Sequence, residues 1–215
     1  MQLQLAVDLM HNPTLEEAIK VIDEVKDYID IIEMDHVMIY EGPKCLKVIK
    51  ERYPDKIVYA DPKTLFFERA LAYYENDADC TTLSCLALDS DYEKTIKWAH
   101  EHGKTVASDF CLIQKEGIAE RLVTLDRLGV DILSFGVVVD YARETDIYDN
   151  PTALLIAKQL VKNAKLSVMG GVSLDNIEKL AKHKPDIIVA GRGIYAQENP
   201  REVARQMKEI MNKYE

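Results

Sequence analysis

An apolar run followed by a helical pattern recurs eight times along the chain, and this recurrence limits the fold more than any other feature. Leu3–Val7 precedes Thr14–Lys26, where Leu15, Ala18, Ile19, Ile22 and Val25 keep helical spacing and Thr14 with Glu17 has the form of a capping box. Ile29–Met34 precedes Pro43–Arg52, Ile57–Ala60 precedes Leu65–Asn76, and Thr81–Leu86 precedes Tyr92–His102. Thr105–Phe110 precedes Lys115–Leu128, which Gly129 stops. Ile132–Phe135 then precedes Pro151–Leu160, Leu166–Met169 precedes Leu174–His183, and Ile187–Ala190 precedes Pro200–Lys213.

Short apolar runs without alternation belong to strands covered on both faces, and the helices between them make the sheet parallel. Eight units in 215 residues predict a closed (β/α)8 TIM barrel, formed as one domain over residues 1–215. A doubly wound open sheet is the alternative. It favours a glycine-rich turn after the first strand. That turn here is Asp8-Leu9-Met10-His11-Asn12-Pro13, without glycine.

Composition narrows the partners. The chain is 47% hydrophobic and 30% charged, with a net charge of -10, which speaks against a phosphate-backbone partner such as nucleic acid. No apolar run reaches the roughly 18 residues of a membrane span. The start, Met1 into Leu3–Val7, carries no basic segment or cleavage site of a signal peptide. Cys45, Cys80, Cys85 and Cys111 lack Cys-x-x-Cys spacing, and Cys80 and Cys85 sit in an apolar segment as buried thiols. A reducing cytoplasm is the expected compartment.

In a barrel the chemistry gathers where strands end and helices begin. The first strand ends at Asp8, and the second at Glu33 with Asp35 and His36 behind it. The third ends at Asp61 and Lys63, two residues apart and therefore on one side if the strand continues beyond Ala60 to Lys63. The fifth ends at Ser108 and Asp109, whereas the sixth ends at Gly136 and brings no titratable group until Asp140. Charges at the ends of apolar strands need a partner, a metal or a substrate. Glu33 and Asp61, on adjacent strands, suit a hard divalent ion such as Mg2+. A purely structural network neutralised by Lys63 is the alternative.

The last two strand ends differ. Gly170-Gly171-Val172-Ser173 and Gly191-Arg192-Gly193 each follow an apolar strand. Glycines let backbone N–H groups approach an anion, and Arg192 offers a guanidinium suited to phosphate. The loops after strands seven and eight are the usual phosphate site of such barrels, so a phosphorylated small molecule is the expected ligand.

Leu3–Asp8, Asp30–Glu33, Tyr53–Val58, Ala60-Asp61-Pro62-Lys63-Thr64, Gly170-Gly171-Val172 and Val189–Arg192 together resemble the orotidine-5'-phosphate decarboxylase superfamily over essentially the whole length. Within it the match is closest to 3-hexulose-6-phosphate synthase and 3-keto-L-gulonate-6-phosphate decarboxylase. The resemblance implies a homodimeric barrel with its sites near the interface, Mg2+ on Glu33 and Asp61, and a sugar phosphate on Gly170, Gly171, Gly191 and Arg192. It further implies an enediolate stabilised by the metal and Lys63, with Asp8 on substrate hydroxyls and Asp109 as a further carboxylate of the site. The enediolate then attacks formaldehyde in a synthase, or arises by loss of CO2 in a decarboxylase.

Two departures stand out. The family's Asp-x-Lys-x-x-Asp pattern ends here in Phe66, where the family has an aspartate given to the partner's site. The family's histidine at the sixth strand end falls on Gly136, and Val137-Val138-Val139 lacks the arginine of some decarboxylases. The synthase-like lyase is the leading reading. A decarboxylase, a phosphosugar-binding homologue with impaired catalysis, and an isomerase or epimerase using Asp8 and Asp109 are the others.

Overall fold

The computed structural model describes residues 1–9, 13–110, 115–136, 148 and 151–215, with the side chains of 115 and 116 left aside. Cys111, Asp140 and Val137–Val139 lie outside the described residues. The chain forms β1 (Gln2–Val7), α1 (Leu15–Val25), β2 (Ile31–Met34), α2 (His36–Glu41), α3 (Lys44–Arg52) and β3 (Ile57–Thr64). It continues through α4 (Phe67–Tyr74), β4 (Cys80–Ser84), α5 (Asp89–Glu101), β5 (Thr105–Asp109), α6 (Lys115–Leu128) and β6 (Ile132–Gly136). It ends with α7 (Thr152–Leu160), β7 (Lys165–Met169), α8 (Ile177–Lys182), β8 (Ile187–Ala190), α9 (Arg192–Tyr195) and α10 (Pro200–Asn212). The eight strands pair in parallel in chain order, and β8 closes on β1 with Gln2 opposite Ile187 and Leu5 opposite Ala190. The expected (β/α)8 TIM barrel is the fold.

Two apolar layers explain why the strand sequences do not alternate. Leu3, Leu5, Val7, Ile32, Met34, Val58 and Ala60 point outward and are sealed by helices such as α1, whose Ala18, Ile22 and Val25 are buried. The inward positions carry a second, smaller cluster of Ala6, Ile31, Tyr59, Cys80, Ala107, Ile132, Ile187 and Val189. Both faces of each strand therefore lose water. Thr14 caps α1 in the expected capping box, its hydroxyl accepting from Glu17 N–H. Cys45, Cys80 and Cys85 are buried free thiols, and no described helix is long and apolar enough to cross a membrane.

Three features depart from the sequence expectation, and all three border the same end of the barrel. α2 and α9 are helices of six and four residues, too short to display an apolar period. β3 runs on through Pro62 to Thr64. It does so through a bulge: Ala60 pairs with Thr81 but Thr64 with Leu83, so β3 spends two extra residues there. A proline without N–H is tolerated at such an interruption, and Lys63 takes a left-handed φ of 46°.

Candidate functional site

Period-two alternation carries the inward layer upward into chemistry. Two residues beyond inward Ala6, Ile31, Tyr59 and Ala107 stand Asp8, Glu33, Asp61 and Asp109. Glu33, Asp61 and Asp109 are thus placed by strands whose lower halves are packed core, and Asp8 follows directly on the end of β1. The cavity above them has a volume of about 320 Å3 and is lined by Asp8, Glu33, Asp35, Asp61 and Lys63 on one side. Gly170, Gly171, Gly191, Arg192 and Gly193 line the other. The sequence-predicted acidic group and the predicted phosphate loops therefore share one chamber.

Lys63 is the hub of the charged side. Its Nζ contacts Asp61 Oδ2 directly and lies 3.9 Å from Asp35 Oδ2 and 4.0 Å from Asp109 Oδ2. Burial works against the ammonium, but Asp61, Asp35 and Asp109 outweigh it and hold the Lys63 pKa above its ordinary value. The bulge, rather than simple alternation, delivers this contact, because Lys63 sits in the left-handed region after the proline. Asp109 itself does not line the cavity and reaches it through Lys63.

Glu33 and Asp61 lie beneath, 5% and 4% exposed. Glu33 Oε2 accepts a 2.6 Å hydrogen bond from Gln4 Nε2. Burial first, and the neighbouring Asp61 charge second, push the Glu33 carboxyl well above its ordinary pKa. Burial likewise lifts Asp35 to about 7, against the pull of Lys63 and with help from Asp61 and Asp8. Asp61 Oδ1 is buried and accepts no hydrogen bond. Four carboxylates line the cavity against the cations Lys63 and Arg192, so with all four ionised the lining carries an excess of two negative charges, the state that burial opposes at Glu33 and Asp35 without a cation. A paired-carboxylate set with an orphaned buried oxygen and excess negative charge fits a hard divalent cation.

The opposite wall is backbone. Gly170 and Gly171 have φ of 103° and 63°, which side chains rarely adopt. A Cβ on Gly193 would lie 1.9 Å from the Val172 carbonyl oxygen, so the two glycine loops touch and only glycine permits it. The Tyr148 hydroxyl lies 3.1 Å from the Gly170 and Gly171 carbonyl oxygens and can donate to either. Carbonyls engaged from outside leave the N–H side of the loop for an anion.

Sequence reasoning missed several supporting groups. Gln4 is a polar residue inside an apolar strand, which was the available signal for its role at Glu33. Asp35 was noticed only as lying behind Glu33, yet it lines the cavity. Tyr195 on α9 donates from its hydroxyl to the Asp8 carbonyl at 2.7 Å, and nothing in the sequence announces that contact. Gly136 lines the cavity as predicted for the sixth strand end, and it adds no side chain.

The sequence profile of the orotidine 5'-phosphate decarboxylase / HUMPS family matches residues 1–207. The 3-hexulose-6-phosphate synthase of Bacillus subtilis (strain 168) is 32% identical over 214 residues, covering 98% of this chain and 99% of that protein. A crystal structure of 3-hexulose-6-phosphate synthase from Salmonella typhimurium superposes with a TM-score of 0.87 at 31% identity, covering both chains completely. The 3-keto-L-gulonate-6-phosphate decarboxylase of Vibrio cholerae O1 biovar El Tor str. N16961 superposes with a TM-score of 0.81 at 20% identity, over 100% of this chain and 98% of that one. At that identity the likeness is one of fold.

Proposed function

The chain belongs to the orotidine 5'-phosphate decarboxylase / HUMPS family, and from that premise we propose a carbon–carbon lyase of the 3-hexulose-6-phosphate synthase kind, acting on a phosphorylated sugar. The observation that carries the reading is Lys63, held among Asp61, Asp35 and Asp109 across one cavity from two glycine loops and Arg192. The Gly170-Gly171 and Gly191 backbone with the Arg192 guanidinium binds the phosphate. That anchors the far end of an open-chain sugar and brings its carbonyl end toward Lys63.

Carbon arithmetic sets the reaction. A hexulose phosphate made by adding formaldehyde comes from a ketopentose 5-phosphate. A proton leaves the carbon next to the ketone, the resulting enediolate carbon attacks formaldehyde, and the new alkoxide takes up a proton. The Lys63 ammonium faces the negative oxygens of the enediolate, a preorganised charge aimed where charge develops. The Asp8 carboxylate accepts hydrogen bonds from the sugar hydroxyls, and Asp109 holds Lys63 from behind. Glu33 and Asp61 would hold Mg2+, which when bound supplies a Lewis acid for the sugar oxygens.

Purified protein with Mg2+, formaldehyde and a ketopentose 5-phosphate, both epimers supplied, is expected to consume formaldehyde. Lys63→Ala is expected to lower kcat/KM by roughly 10^2–10^3-fold, the scale of a lost charge-stabilising donor. Turnover unaffected by that substitution overturns the mechanism.

The assembly proposed with this activity is a dimer of the same chain. Leu65 and Phe66 before α4 and Leu86 and Leu88 before α5 are 42%, 49%, 55% and 68% exposed, on the rim that carries the site. The two connections are joined, since Phe67 N–H donates to Asp91 Oδ1 at 3.1 Å. Exposed large apolar side chains on adjoining loops favour a matching apolar surface, which a second copy provides by symmetry.

A further inference from the structure

Asp8 stands one residue beyond the end of β1, where strand pairing no longer fixes it. It nevertheless lines the cavity, so its orientation has to come from elsewhere. Two side chains supply it. The Tyr195 hydroxyl holds the Asp8 carbonyl at 2.7 Å, fixing the backbone. His36 Nδ1 lies 2.8 Å from Asp8 Oδ1, fixing the carboxylate. Because a carboxylate only accepts, Nδ1 carries the hydrogen in this pair.

We propose that His36 is a positioning residue of the active site, holding the Asp8 carboxylate so that one oxygen is engaged and the other remains for the substrate. This rests on the lyase reading above and names a residue that acts within it. His36 is suited to the task by its setting. It opens α2, whose Val37 and Met38 are buried, so the imidazole is carried on an anchored turn rather than a free loop. Asp35 Oδ2 lies 3.9 Å from the same nitrogen and 3.9 Å from Lys63 Nζ, which links the pair to the charged side of the cavity. His36 does not itself line the cavity, which separates it from groups that touch substrate.

The bland alternative is a surface ion pair. Both side chains are about two-fifths exposed, 41% and 43%, and exposed pairs contribute little to stability. The two accounts differ in what they couple. A surface pair changes melting temperature slightly and leaves kinetics alone. A positioning contact changes kinetics through Asp8 and only through Asp8.

The test is a double-mutant cycle on the full chain, with His36→Leu, His36→Asn, Asp8→Ala and the Asp8→Ala/His36→Leu pair. His36→Leu is expected to lower kcat/KM by roughly tenfold, the scale of a misplaced site carboxylate. His36→Asn, whose amide can donate from the Nδ1 position, is expected to recover most of that loss. In the Asp8→Ala background, His36→Leu is expected to change kcat/KM by less than about twofold, because no carboxylate remains to position. Multiplicative effects in the cycle, or Asn no better than Leu, overturn the proposal.

A second readout does not need turnover. The imidazole Nδ1–H resonance is expected to be protected in the wild type and to collapse in Asp8→Ala, which leaves no acceptor. The same cycle is read in the dissociation constant of a ketopentose 5-phosphate by calorimetry. Binding and resonance that follow the cycle in a protein without lyase activity would uphold the positioning role and reject the lyase reading. A resonance indifferent to Asp8→Ala rejects the positioning role by itself.

Discussion

A single carboxyl group shows how burial and crowded charge act on the site. Asp35 is lifted to about 7 by burial, with Asp61 and Asp8 adding to the push. Its native pKa thus lies above that of the unfolded chain, so between the two the native state binds the extra proton. Stability contributed by this group is present at low pH and is lost as pH rises toward 7. Metal-free Asp35→Asn is therefore expected to gain stability relative to wild type as pH climbs from 4 to 7, at most about 1.4 kcal/mol per pH unit. Paired thermal melts across that range check it, and a difference that stays flat refutes it. At this scale the sequence disclosed the reacting types well. Asp8, Glu33, Asp61 and Lys63 were readable because strand ends in an apolar pattern stand out. Tyr195 and Tyr148 were not, because their partners are 187 and 22 residues away and are chosen by packing alone.

Among the elements, the loop after β7 and the loop after β8 behave as one unit. Gly193 presses against the Val172 carbonyl so closely that a methyl group has no room. Gly193→Ala is expected to force the loops apart, costing about 1–3 kcal/mol of stability by overpacking. The dissociation constant for a sugar phosphate should rise roughly tenfold, equivalent to about 1.4 kcal/mol. Calorimetry at a temperature where the variant is fully folded checks this; unchanged affinity would show that the loops do not cooperate. The period of the chain predicted every strand and most helix bodies within a few residues. It failed at α2, α9 and the far end of β3. Four- and six-residue helices carry no period, and a bulge is by definition a break in one.

For the molecule as a whole, closure was legible because eight repeats of about 27 residues leave few alternatives to a barrel. Assembly is a separate matter of surface. The variant Leu86→Glu/Leu88→Glu is expected to sediment as a monomer while keeping its circular dichroism. A wild type that is monomeric at micromolar concentration would remove the dimer from the proposal.

The bare inward position at Gly136 has an outcome for substrate range. Where β1, β2 and β3 bring carboxylates to the cavity, β6 lines it with Gly136, which has no side chain. A larger aldehyde such as glycolaldehyde should then compete with formaldehyde more effectively than in a site whose sixth strand carries a side chain at that position. Gly136→Ala is expected to shift the kcat/KM ratio toward formaldehyde by roughly tenfold, the discrimination one methyl-sized contact supplies. A lining position without a side chain is where a barrel can acquire a new co-substrate with a single substitution and without disturbing its charges.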